Sequence, residues 1–138
     1  MDKIKITSDD LQIIALLEQM TGARVKDCII GETNVTIVVE TGDIGKAVGQ
    51  GGRNAKLLEQ RLKKRIKIIE YHPELLTFVT AVIAPLRVRD ARVEQDIVTL
   101  HPADSQTRGA LIGRGGSMLR TYENIVKRHF PVKEIKVE

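Results

Sequence analysis

Apolar residues recur at Leu11, Ile14, Leu17 and Met20, between the polar start Ser8-Asp9-Asp10 and Gly22. That spacing predicts a helix over SDDLQIIALLEQMTG with Ser8 as its cap. Beyond Gly22 the pattern changes: ARVKDCII and VTIVVE are rich in β-branched residues and are separated by the turn-forming GETN, the signature of a β-hairpin. A short helical segment, DIGKAV, then enters a glycine cluster. A basic helix follows to about Lys64, and IKIIEY reads as a strand.

The second half runs through the same order. The apolar run LLTFVTAVIA predicts a helix with Pro73 in its first turn and Pro85 closing it. LRVRDARVE and DIVTLH are strand candidates, DSQTRGALI is a short helix entering a second glycine cluster, MLRTYENIVKRHF is the helix after it, and EIKVE is the last strand. The expected class is α+β, with two domains over residues 1–71 and 72–138, each α-β-β-α-α-β with helices on one face of a three-stranded sheet. The Tyr71-His72 junction leaves no length for a swinging linker.

The two glycine clusters are copies. Residues 45–64 laid over 109–128 pair Gly45 with Gly109, Gly49 with Gly113, Gly51 with Gly115, Gly52 with Gly116, Glu59 with Glu123 and Lys63 with Lys127. Val48 faces Ile112, Lys56 faces Arg120 and Lys64 faces Arg128 at the same offset. Two copies are too few for a solenoid and point to two similar small domains.

Charge follows the clusters. The chain is +4 overall, but residues 41–70 carry eight Lys and Arg against Asp43, Glu59 and Glu70, and residues 105–130 carry five against Glu123 alone. The remainder is therefore net negative, and the positive field is concentrated where an anionic partner would meet the glycines. Three phosphate-binding readings compete for such loops. A Walker A loop needs Gly-Lys-Ser or Gly-Lys-Thr at its end, and neither cluster has it. A dinucleotide fold needs G-x-G-x-x-G directly after a strand, and here a short helix intervenes and the pattern is absent. The third is G-x-x-G between two helices: Gly49-Gln50-Gly51-Gly52 and Gly113-Arg114-Gly115-Gly116.

A hydrophobic residue followed by G-x-x-G between two short helices, within β-β-α-α-β, resembles the KH domain, and the leading helix is similar to its type II arrangement. The familiar form is I-G-x-x-G-x-x-I. Val48 and Ile112 match its first apolar position, while Ala55 and Leu119 fall at the last, so the first copy departs by a small residue. The phrase GKAVGQGGRNAKLLEQRLKKRIKIIEYHPE, with tandem units over nearly the whole chain, resembles the paired KH region of the NusA family of transcription termination and antitermination proteins, in its short archaeal form. The long bacterial form also carries a polymerase-binding domain and an S1 domain, for which this chain has no room.

The resemblance implies single-stranded RNA as the ligand, RNA polymerase as a neighbour, and no catalysis. In the family the loop clamps the sugar–phosphate backbone of about four nucleotides. Carried over, the RNA-binding residues are Lys46, Val48, Gly49, Gln50, Gly51, Gly52, Arg53 and Lys56 in the first unit, and Arg108, Ile112, Gly113, Arg114, Gly115, Gly116 and Arg120 in the second. The physical logic is close approach of a backbone without β-carbons, amides at the start of a helix, and surrounding cations. Ile44, Ala47, Val48 and Leu57, with Leu111, Ile112 and Leu119, are the expected groove lining. Other readings kept open are a KH protein of ribosome assembly or RNA decay, a nucleotide-using enzyme, and a KH-like scaffold for protein contacts.

Other residues change the picture little. Cys28 is the only cysteine, so it is expected as a small buried hydrophobe and no intramolecular disulfide forms. His72, His101 and His129 share no ligand spacing, and neither a metal nor a cofactor is expected. Two Tyr and two Phe are too few for an aromatic stacking platform. Glu59–Lys63 and Glu123–Lys127 read as i,i+4 helix support, part of Lys63-Lys64-Arg65 as a solvated helix end, and Asp43 as a cap or turn residue. MDKIKITSDD has no apolar core for a leader, and LLTFVTAVIA is too short to span a bilayer, so a cytoplasmic monomer is expected.

Overall fold

The computed structural model describes residues 8–138; the amino-terminal stretch read for a leader lies outside them, and the expected Ser8 cap sits at their limit. Two compact units meet between His72 and Pro73. In the first unit α1 (Ser8–Thr21) precedes a hairpin of β1 (Val25–Ile30) and β2 (Asn34–Val39). Then come α2 (Ile44–Val48), α3 (Arg53–Leu62) and β3 (Arg65–Glu70). β2 is central, antiparallel to β1 and parallel to β3, with Cys28 opposite Ile37 and Ile37 opposite Ile68.

The helices cover one sheet face. Leu17, Ala23, Cys28, Val35, Ile37, Val39, Ala47 and Leu58 form the buried core there, with Ile44, Ile66 and Ile68 packed against it. Alternation along β2 sets which side chains reach that face, since successive residues of a strand point to opposite sides. In α1 the core face is Ile13, Ile14, Leu16, Leu17 and Met20, whereas Leu11 is 56% exposed. Positions three apart drift around a helix, so Leu11 lies about 120° from Leu17 and leaves the face that its spacing had suggested.

The second unit repeats the topology with α4 (Leu75–Ile83), β4 (Asp90–Glu94), β5 (Ile97–His101), α5 (Ser105–Ile112), α6 (Ser117–Lys127) and β6 (Glu134–Val137). β5 is central, antiparallel to β4 and parallel to β6. Phe78, Val82, Val98, Leu100, Leu111, Val126 and Ile135 are buried, and Phe78 meets the His129 ring edge-on at 5.4 Å. The strand predicted from residue 86 begins only at Asp90, and Gln95 and Asp96, both at positive φ, make the two-residue hairpin turn.

Pro73 precedes α4 rather than entering its first turn. Glu74 caps the helix, its carboxylate accepting from the Leu76 N–H at 2.7 Å and the Thr77 N–H at 3.2 Å. Asp104 caps α5, accepting from the Thr107 N–H at 2.7 Å. These bonds favour the charged form and hold both carboxyls below their ordinary values of 4.5 and 3.8. A lowered native pKa means that the unfolded chain binds more protons, so the stabilisation is complete above those values and is lost as pH falls through the native ones. The melting-temperature gap between wild type and a Glu74→Gln, Asp104→Asn double variant is therefore expected to close as pH falls from about 7 to about 2. A gap independent of pH would assign the caps to geometry without charge.

The duplicated glutamate has a task beyond the expected one. Glu123 does pair with Lys127 at 3.3 Å, but its Oε2 also accepts from the Ile135 N–H at 3.0 Å. Glu59 Oε2 accepts from the Ile66 N–H at 3.4 Å, while Lys63 takes a left-handed conformation that ends α3. In both units this glutamate ties the helix after the glycines to the start of the last strand.

Candidate nucleic-acid interface

Each glycine cluster bridges a short helix and a longer one through a single tight turn. α2 ends when the Gly49 N–H donates to Gly45 O at 3.0 Å, and α5 ends when the Gly113 N–H donates to Gly109 O at 2.9 Å. Gly49 sits at φ 78°, ψ 168° and Gly113 at φ 71°, ψ −179°. Only glycine adopts that combination at low cost. A 3-10 turn follows in each, with Gly51 at φ 64°, ψ 20° and Gly52 at φ 76°, ψ 17°, matched by Gly115 at 62°, 22° and Gly116 at 80°, 11°.

The glycines divide into two kinds. A β-carbon at Gly49 would lie 3.0 Å from Asn54 N, and one at Gly113 would lie 2.9 Å from Met118 N, so these two positions are closed by the chain itself. At Gly51, Gly52 and Gly115 a β-carbon would meet nothing within 4 Å. Their backbone lies open, with only the left-handed φ to favour glycine, and that conformation is also accessible to Asn and Asp.

The electrostatics follow from where α3 and α6 begin. No side chain caps either helix, so the positive end of each helix dipole is left to the glycine turn. The N–H groups of Gly52 and Gly116 turn inward to Gly49 O and Gly113 O at 3.1 and 3.3 Å, which leaves fewer outward amides than the sequence implied. Lys46, Arg53 and Lys56 are exposed around the first turn, and Arg108, Arg114 and Arg120 around the second. The Arg120 Nη2 donates to Gly115 O at 2.9 Å, which holds its guanidinium over the second turn. Gln50 is exposed on the first turn at the position of Arg114.

Of the expected groove lining, Ala47 and Leu111 are fully buried and belong to the cores; Val48, Ile112 and Leu119 are half-buried, and Leu57 is exposed. Each buried residue lies on the helix face turned to its sheet, and one apolar letter cannot distinguish that face from a groove wall. Asp43 is buried, yet its side chain caps no helix. It accepts from the Arg24 N–H at 2.9 Å and from Arg24 Nε at 3.1 Å, and these bonds hold its carboxyl below the ordinary range. Lys64 leaves the basic run: its Nζ donates to Gly31 O at 2.9 Å and ties the helix end to the β1–β2 turn.

Sequence reasoning missed Asn54, whose Nδ2 donates to Lys46 O at 2.9 Å and clasps α2 against the first glycine. An asparagine at the second position of a helix, just after the glycines, was the only available signal. Among the described residues no three His, Cys, Asp or Glu side chains converge as metal ligands. Nor is any described helix long and apolar enough to cross a membrane.

The sequence profile of the KH domain matches residues 12–82. The chain is 31% identical to a probable transcription termination protein NusA of Methanocaldococcus jannaschii, covering 99% of this chain and 76% of that protein. It is 36% identical to the protein of the same description from Methanococcus vannielii, covering 98% and 80%, and 29% identical to that of Halococcus morrhuae, covering 98% and 99%. Among solved structures, the crystal structure of APE1850 superposes with a TM-score of 0.76 at 27% identity, covering 96% of this chain and all of that one.

Proposed function

We propose, since the chain belongs to the NusA family of KH-domain proteins, that it is an RNA-binding factor of transcription whose two glycine turns grip single-stranded RNA. The observation that carries this reading is the pair of turns with matching dihedrals, each open at its second glycine and each leading into an uncapped helix. A backbone without β-carbons lets a phosphate approach closely, and the helix dipole favours its charge.

The parts that grip the backbone correspond in the two units. Gly49, Gln50, Gly51 and Gly52, and Gly113, Arg114, Gly115 and Gly116, form the contact surface. Val48 and Ile112 supply an apolar edge beside it. Lys46, Arg53, Lys56, Arg108 and Arg120, together with Arg114, supply the field, so binding weakens steeply with salt as counterions are released. Two such turns in one chain raise the effective concentration of the second contact once the first is made.

The factor acts as a monomer in the cytoplasm, beside RNA polymerase, during elongation, termination or antitermination. The curated relatives are described as probable transcription termination proteins, which favours transcription over the other uses of KH domains. Crosslinking in cells, with identification of both the RNA and the protein recovered, tests the assignment. Nascent transcripts together with polymerase subunits are the expected result, and recovery of ribosomal particles or exosome in their place would overturn it.

A further inference from the structure

The two turns share a backbone but differ in the side chains laid over it. In the first, Asn54 spends its amide inward on Lys46 O. At the same place in the second stands Met118, which has no amide to give and is 39% exposed, one of four exposed large hydrophobic side chains among the described residues. Met118 lies directly on the turn: a β-carbon at Gly113 would come within 2.7 Å of its Cγ and 2.8 Å of its Cβ. Arg120, four residues from Gly116, is held on Gly115 O at 2.9 Å, while the side chain of the equivalent Lys56 makes no hydrogen bond or ion pair among the described residues. Arg114 adds a second guanidinium where the first turn has Gln50.

We infer that Met118 is a specificity-determining residue of the second turn, laying its thioether against the face of a nucleobase whose phosphate that turn holds. The inference rests on the RNA-clamp reading above. An apolar side chain left partly in water gains by being covered, and a thioether against an aromatic base makes a favourable dispersion contact. The side chain is already fixed at its base by Gly113, so little freedom is lost when a base covers it. In this chain, poor in aromatic residues, a methionine beside two arginines is a surface suited to a base. The first turn, with its asparagine turned inward, offers no such side chain at this position. The two turns therefore differ at this one position: only the second places an apolar side chain there, where it meets the base beside the phosphate.

The test uses the full chain with two probes of equal phosphate number, a short single-stranded oligoribonucleotide and the same strand with abasic sites. Met118→Asn is expected to weaken binding of the first probe about three- to tenfold and to leave the abasic probe unchanged. Met118→Leu should retain most of the binding, since it keeps an apolar side chain on Gly113. Equal losses on both probes would make Met118 a support of the turn's shape, and no loss on either would make it a bystander; both results overturn the inference. Gly115→Asp is measured beside them. If it leaves both probes bound as before, the clamp reading itself has failed and the inference falls with it; if it weakens both while Met118→Asn does nothing, only the inference fails.

Discussion

Gly51→Asp combined with Gly115→Asp is expected to weaken binding to single-stranded RNA about a hundredfold while leaving both units folded. An aspartate adopts the left-handed φ of these positions more readily than most residues. Its β-carbon would meet nothing within 4 Å at either site, so the folded structure accommodates it. A bound phosphate does not. A carboxylate within several ångström of it, at the surface of the protein and screened by salt, costs about 1.5 kcal/mol per turn, roughly tenfold in affinity each. Asparagine at the same two positions separates the contributions, because it adds the same bulk without the charge. Fluorescence anisotropy against a short oligoribonucleotide reads the affinity and circular dichroism the fold. Unchanged affinity in a folded double aspartate variant would end the clamp assignment.

The second large effect falls on the other kind of glycine and is read as stability. Gly49→Ala and Gly113→Ala are each expected to cost about 2–4 kcal/mol, combining an unfavourable φ/ψ combination with contact against the backbone. The neighbours at 3.0 Å and 2.9 Å are the backbone nitrogens of Asn54 and Met118, which cannot swing aside as a side chain can. Asn54 would also have to give up its bond to Lys46 O. For a unit of this size the loss corresponds to more than about 10 °C in melting temperature. Gly51→Ala, with open space around it, should cost only about 1 kcal/mol. Thermal and urea unfolding of the three variants decides the point, and equal costs at Gly49 and Gly51 would show that the two kinds of glycine do not differ.

Most of the element order was legible before any coordinates because it rests on local signals. β-Branched runs, turn residues and the glycine clusters placed α1 to β6 in sequence, and the repeat at a fixed offset showed that one solution had been used twice. Where the reading slipped, a local signal was contradicted by a longer-range one. Leu11 followed the spacing of its neighbours in α1 but lies 56% exposed, because a helix face is set by the sheet it covers. Asp43 does stand at the start of α2, in a turn closed by its N–H on Glu40 O, but its side chain binds Arg24, nineteen positions earlier, rather than the helix's amides. Glu59 and Glu123 looked like helix-surface partners, and Glu123 does pair with Lys127, yet both also reach the backbone of a strand.

For the candidate site, the sequence by itself determined the G-x-x-G spacing, its duplication and the concentration of positive charge around it. These are properties of residue type and order. Tertiary structure alone decided that the first glycine of each turn is held by its own chain while the second lies open. It also decided that Ala47 and Leu111 serve the cores, and that Asn54 turns inward where Met118 stays on the surface. The physical reason is that a glycine has no side chain to show what approaches it. Whether the space beside its α-carbon is filled or empty depends on atoms five residues away, brought there by the turn itself.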